Sequence, residues 1–313
     1  MVREAGIFFR DAEAVRRGLD AVGHVVDDGT ATALFLAGIL HKPLLVEGEP
    51  GVGKTSAALA LARTLDTELI RLQCYEGLTA SEALYEWNYQ RQLLSIRLTE
   101  ANEARTRLKD ADLFSEEYLQ DRPLLRAVRH RGPVPPVLLI DEIDRADDEF
   151  EALLFEFLGE NAITVPELGT FTADTPPIVV LTSNRSRELH DALRRRCLYH
   201  WIDFPPPERA AEILRRTVRE ANEPLIASAT AFIGRVRALD LDKPPGMAEA
   251  IDWVSALTAL QVTRLARSDV LGTLSTIAKS ADDRTVITQA LDDFDSDGRT
   301  APQEPAGEEV RQP

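Results

Sequence analysis

With 313 residues, 44% of them apolar and 28% charged, the chain can bury one large core or two moderate ones. No apolar run reaches the ~18 residues a bilayer requires. The start, Met1-Val-Arg-Glu-Ala-Gly, has neither an apolar stretch nor a small-residue cleavage site, so the reading is a cytoplasmic protein with no transmembrane segment. Two cysteines and five scattered histidines give no disulfide framework and no ligand spacing for a Cys/His metal site. A net charge of −16 argues against nucleic acid as a partner, because phosphate affinity rests on Lys and Arg.

In chain order, the first strand is predicted over Pro43–Glu47. Next come the turn Gly48-Glu-Pro50-Gly51-Val52-Gly53-Lys54-Thr55 and a helix over Ser56–Leu65. Further strands are predicted at Leu69–Gln73, Val137–Asp141, Ile178–Thr182 and Leu198–Phe204. Helices fall at Ser115–His130, Asp147–Leu158 and Arg187–Arg195. The central strands are continuous apolar runs (PLLVE, VLLID, IVVLT), as expected where both faces of a parallel sheet are covered. After Phe204 the pattern turns helical, with apolar spacing of three and four over Glu208–Ala221, Leu225–Ala238, Met247–Leu260 and Asp269–Lys279. The expected organisation is an α/β core over 1–205 with a five-stranded parallel sheet, a small all-α domain over 206–291, and a disordered acidic tail over 292–313.

The chemistry concentrates at strand ends. Gly48 to Thr55 matches G-x-x-x-x-G-K-[ST], with a strand before it and a helix after, the context in which backbone N–H groups cradle phosphates. Gly48, Pro50, Gly51, Val52, Gly53 and Ser56 are read as nucleotide-binding with Lys54, which reaches the β- and γ-phosphates; Thr55 ligates Mg²⁺. A chance match in a chain of this length is at roughly the one-per-cent level. The second strand end, Asp141-Glu142, supplies a carboxylate for Mg²⁺ and a base for the attacking water, so the bound ATP is read as being hydrolysed.

The strand Ile178–Thr182 runs on into Ser183 and Asn184, and Asn184 is placed to meet the γ-phosphate or the attacking water. Then comes Leu193-Arg194-Arg195-Arg196-Cys197. The functional reading is an arginine finger for an adjacent subunit, Arg196 first and Arg195 second; the bland one is a cationic helix end favoured by the macrodipole. Tyr75, Tyr85, Trp87 and Tyr89 either pack together or form a client-gripping loop, and packing is the commoner outcome for such clusters.

Taken in order, these motifs resemble the AAA+ ATPases. The family's fold, a parallel αβα core with a helical lid and nucleotide at a subunit interface, is what the resemblance implies. Trp87-Asn-Tyr, Arg122-Pro-Leu-Leu-Arg126, Asp141-Glu-Ile-Asp-Arg-Ala146 and Leu189-His-Asp-Ala-Leu-Arg-Arg-Arg-Cys197 look like the MoxR branch, and most like its CoxD-type members. That resemblance implies an insertion, for which Tyr75–Leu113 has room, and a hairpin before the sensor strand, for which 162–173 has the composition. It also implies a homo-oligomeric ring, often hexameric, a von Willebrand factor A domain partner, and a client metalloenzyme such as carbon monoxide dehydrogenase. Many family lids carry a nucleotide-sensing arginine; here the corresponding stretch, Pro244-Pro-Gly-Met-Ala-Glu249, has none. Two other classes remain: an ATP-gated assembly scaffold with little turnover, and a nucleic-acid-acting motor.

Overall fold

The computed structural model describes residues 9–101 and 110–297. It divides into two compact units, Met1–Phe204 and Pro205–Pro313. Among the described residues, no helix is long and apolar enough to cross a membrane.

The first unit opens with two helices where the sequence reading has none, α1 (Ala12–Ala21) and α2 (Asp28–Leu40). Asp11 and Asp27 cap them, accepting from Ala14 N at 2.8 Å and Thr30 N at 2.6 Å. The stretch ALFLAGIL of α2 is apolar on every side, so no helical stripe betrays it. There follow β1 (Leu44–Gly48), α3 (Lys54–Leu65), β2 (Leu69–Gln73), α4 (Ala80–Ala83), β3 (Tyr85–Trp87), α5 (Tyr89–Ala101) and α6 (Asp110–Leu113). Next come β4 (Leu119–Asp121), α7 (Pro123–Val128), β5 (Val137–Asp141), α8 (Asp148–Glu160), β6 (Ala162–Val165) and β7 (Gly169–Thr172). The unit closes with β8 (Ile178–Ser183), α9 (Asp191–Arg194) and β9 (Leu198–Ile202).

Five strands form one parallel sheet in the order β2-β5-β8-β1-β9. All are within two residues of their expected bounds. Successive residues of β5 go to opposite faces, as the pleat demands. Leu138 and Ile140 join Ile70, Leu125, Leu154 and Phe157 on one side; Val137 and Leu139 join Leu19, Leu34, Ala58 and Leu61 on the other. The connection from β8 to β9 passes over β1, so the chain winds in opposite senses on either side of it, which opens a crevice at the carboxyl ends of the strands.

The expected helix over Ser115–His130 is not continuous. The stretch Ser115–His130 holds a 3₁₀ turn at Glu116–Tyr118, then β4, and only then α7, with Pro123 at its first turn. The cause is non-local: β4 pairs antiparallel with β3, Trp87 opposite Leu119, across the intervening insertion. Trp87 is 7% exposed, edge-on to Phe114 at 5.2 Å, in a cluster with Tyr118 and Val165. Packing therefore accounts for Trp87, whereas Tyr75 and Tyr89 are exposed. The hairpin expected over 162–173 is present as β6 and β7, joined through Gly169.

The second unit is helical: α10 (Pro207–Thr217), α11 (Glu223–Arg237), α12 (Met247–Ala259), α13 (Arg267–Thr273) and α14 (Ala281–Asp297). Trp253 is its central side chain, fully buried against Phe232 at 5.3 Å, with its indole N–H donating to Thr273 Oγ1 at 2.7 Å. The buried Asp283 carboxylate accepts from the amides of Asp242 and Lys243 and holds the turn before Pro244. Helix α14 continues to Asp297, six residues into the stretch expected to lack structure; 298–313 lies outside the described residues.

Candidate functional site

The Gly48–Thr55 turn joins β1 to α3. A side chain at Gly48 would meet the carbonyl oxygen of Ile202 at 2.4 Å, so β9 leaves room for glycine alone. Gly53 stands at the cap of α3 with φ 100°, a conformation L side chains rarely adopt. Where α1, α2, α8 and α11 have Asp or Asn caps, α3 has no side-chain cap and no acidic residue in its first turn. Its first amides are thus available to an anion. Pro50 and Ser56 are exposed, Val52 is buried beneath the turn, and Gly51 curls it at φ 76°.

Lys54 is buried under this turn, its ammonium donating to the carbonyls of Gly48 and Glu49, each at 2.8 Å. Burial holds its pKa below the ordinary lysine value, and the charges of Asp144, Asp141, Glu142 and Glu47 offset that only in part. The acidic strand end meets the loop directly. Asp141 Oδ1 accepts from Thr55 Oγ1 at 2.9 Å and from Thr182 Oγ1 at 2.6 Å, and Thr182 Oγ1 accepts from the Glu142 amide at 2.9 Å. Three elements that are adjacent in space but far apart in sequence are therefore joined through one carboxylate oxygen, Asp141 Oδ1. Glu142 has φ 56°, uncommon for a non-glycine residue, which turns the chain sharply off β5. Its carboxylate meets Gln73 Nε2 at 3.0 Å and Arg145 Nε at 3.2 Å.

Hydroxyl and carboxylate oxygens converging at Thr55 and Asp141 are the hard donors that Mg²⁺ takes. The cradle above them suits a polyphosphate, so the residues fit Mg²⁺ and ATP. Asn184 follows β8 immediately and is half-buried. The sequence singles it out from Thr182-Ser183-Asn184, yet Thr182 makes the hydrogen bonds to the acidic pair. Arg71 and Gln73, which the sequence reading passes over, also reach Asp141 and Glu142. The alternation in LIRLQ signals only that they share a face of β2.

Beyond Asn184 the expected helix over Arg187–Arg195 shrinks to Asp191–Arg194. Its first residues are committed elsewhere. Ser186 donates through its amide and hydroxyl to Asp144 Oδ2 at 2.8 and 2.6 Å. Arg187 donates to the Ala146 carbonyl at 2.9 and 2.6 Å and pairs with Glu151, which also accepts from His190 N at 3.0 Å. Burial alone would raise the pKa of Asp144, but the two Ser186 hydrogen bonds bring it below its ordinary value. Glu151 is 0% exposed, so Glu151→Ala leaves the His190 amide without its acceptor and removes one of the partners of Arg187, which keeps the Ala146 carbonyl. The expected loss is about 1–3 kcal/mol, read as a shift of the denaturant midpoint; a loss well below about 1 kcal/mol, the range of exposed pairs, would show the clasp to be marginal.

The three arginines separate here. Arg194 lies over Tyr199 at 5.9 Å; Arg196 lies over Phe155 at 4.8 Å and donates to the Ala192 carbonyl. Arg195 is 82% exposed, with Asp191 at 3.6 Å. Burial pushes the thiols of Cys74 and Cys197 up to about 12, so both are neutral at physiological pH.

The sheet order, the glycine cradle and the wired Thr55–Asp141 pair define a nucleotide-binding α/β domain of the phosphate-loop class. The family model for the AAA domain (dynein-related subfamily) matches residues 43–197. Residues 43–197 are thus an AAA+ ATPase domain. Over 38 residues, 12% of the chain, the protein is 55% identical to the replication factor C large subunit of Methanocorpusculum labreanum, a match covering 8% of that protein's length. Among solved structures, a Thermotoga maritima RuvB mutant aligns with 88% of the chain and 73% of its own, at 20% identity and a TM-score of 0.47. The T. maritima RuvB Holliday junction branch migration motor aligns with 86% of the chain and 72% of its own, at 18% identity and a TM-score of 0.44.

Proposed function

We propose that this protein hydrolyses ATP as a homo-oligomeric ring, often a hexamer in such proteins, and uses the turnover to remodel or mature a client protein. The observation that carries the reading is the bonded chain Thr55–Asp141–Thr182–Glu142, which ties the start of α3 and the end of β8 to the acidic end of β5. In this mechanism the first-turn amides of α3 and Lys54 bind the phosphates, and Thr55 and Asp141 hold Mg²⁺. Held there by Thr55 and Asp141, a divalent ion would supply positive charge against the charge that builds on the phosphates. Glu142 takes a proton from the attacking water as its oxygen bonds to the γ-phosphorus. The β–γ bridging oxygen then leaves with ADP, and inorganic phosphate is the second product. Asn184, the residue after β8, is our choice for the group that orients that water.

Arg195, rather than Arg196, is our choice for the group that completes a neighbour's site, because Arg196 is occupied by Phe155. The insertion framed by β3 and β4 and the hairpin β6–β7 support the MoxR-type assignment and, with it, a von Willebrand factor A domain partner and a client metalloenzyme. The exposed Tyr89, Leu93, Leu94 and Leu98 of α5 are the apolar surface we assign to client contact. Steady-state turnover of the purified protein, followed against protein concentration, tests the reading. Specific activity should rise with assembly and depend on Mg²⁺. A flat, negligible rate at every concentration would leave the ATP-gated scaffold, and stimulation by DNA would favour a nucleic-acid motor.

A further inference from the structure

Asp141 is nearly sealed from solvent, its side chain 3% exposed, and both of its oxygens are engaged. Oδ1 takes the two threonine hydroxyls; Oδ2 takes Arg71 Nη2 at 2.5 Å. A buried carboxylate that has lost its hydration is stabilised by a cation close by, beyond what hydroxyl donors give. Arg71 supplies that charge from β2, the strand beside β5. Its own position is unusual for a partner of so buried a group. The side chain is 51% exposed and also donates to Gln73 Oε1 at 2.7 Å, so the guanidinium can leave Oδ2 for water and Gln73 without opening the core.

From this geometry we infer that Arg71 is the resident counter-cation of Asp141 and competes with the divalent ion for Oδ2. The inference rests on the reading of Asp141 as a metal carboxylate and adds a regulator to it. Two cations cannot share one oxygen at hydrogen-bonding distance without strong repulsion in so poorly hydrated a place. Metal entry therefore requires Arg71 to swing outward, and the strength of the Arg71–Asp141 pair sets how much Mg²⁺ the site demands. Arg71 is thus a positioning residue: it acts on nucleotide through the carboxylate. It also keeps Asp141 oriented toward Thr55 and Thr182 between turnovers.

The test is a Mg²⁺ titration of the binding of a fluorescent ADP analogue to the full chain, for the native protein, Arg71→Lys and Arg71→Ala. Without the competing guanidinium, the half-saturating Mg²⁺ concentration should fall on the order of tenfold in Arg71→Ala, the scale of one charge-assisted hydrogen bond. Arg71→Lys, which keeps a more flexible charge, should fall less. Melting in chelator should drop for Arg71→Ala, and the difference from the native protein should vanish in saturating Mg²⁺ and ADP. A purely structural ion pair would lower the melting point equally in both conditions and leave the titration unmoved, which would overturn the inference. So would a rise in half-saturating Mg²⁺, because Arg71 would then be assisting the metal. If the native chain shows no Mg²⁺-dependent binding, the metal-site reading falls together with this one. Should Arg71→Ala not fold, Arg71→Gln gives the same readout with the side-chain volume largely kept.

Discussion

Arg195→Ala is expected to cut ATP turnover about a thousandfold while leaving nucleotide affinity unchanged. Transition-state charge on the transferred phosphoryl group is what an arginine supplied in trans stabilises, and its removal costs on the order of 10³-fold or more. The residue is 82% exposed at the end of α9, and its near partner Asp191 is itself exposed, so little holds it to its own subunit. Arg196→Ala is the control: with Arg196 laid over Phe155 and bonded to Ala192, its loss should act on packing and spare most of the turnover. Mixing gives the sharper result. Arg195→Ala subunits retain an intact loop, and Lys54→Ala subunits retain an intact Arg195, so a mixed assembly should regain part of the rate. No recovery, with mixed assembly verified, would place the finger elsewhere.

Glu142→Gln should lower turnover by about 10²–10⁴-fold, the usual worth of a positioned general base. Glutamine preserves the volume and the hydrogen-bonding reach toward Gln73 and Arg145, so nucleotide binding should persist. The variant should therefore hold ATP and stay assembled. Single-turnover chemistry separates this from slow product release: the chemical step itself must slow. A Glu142→Gln rate within tenfold of the native one would mean that another group takes the proton. Both effects depend on the sharp turn at Glu142, where a left-handed backbone places its amide on Thr182 and leaves its side chain facing Gln73.

The loop and the acidic strand end were legible because each is local. Glycine at set spacing, then Lys54-Thr55, is a short-range geometry that residues 48–55 define by themselves. The strands were legible for a similar reason. A five-residue run such as VLLID, buried on both sides, has no polar alternative that would satisfy water. The N-terminal helix α2 was hidden because its apolar residues face every direction. The break in 115–130 was hidden because β4 exists only by pairing with β3, more than thirty residues earlier. Spacing along the chain suits Trp87 equally to packing or to grip; its contact with Phe114 and Tyr118, from outside its own segment, makes it packing.

Residues 48–55 define a glycine-rich turn between strand and helix, and residues 137–142 a buried strand ending in Asp141-Glu142, from the order of residues alone. Those features depend on covalent neighbours and on burial patterns written along the chain. Which side chains answer the two carboxylates depends on how the sheet is assembled. The order β2-β5-β8-β1-β9 brings Thr55, Arg71 and Thr182 to Asp141 from three separate strands and helices. It also gives the arginines different surroundings, since stacking partners such as Phe155 and Tyr199 come from α8 and β9, segments that spacing within Leu193–Cys197 does not encode. Electrostatic pairing acts through space over a few ångströms, and space is what a linear string omits.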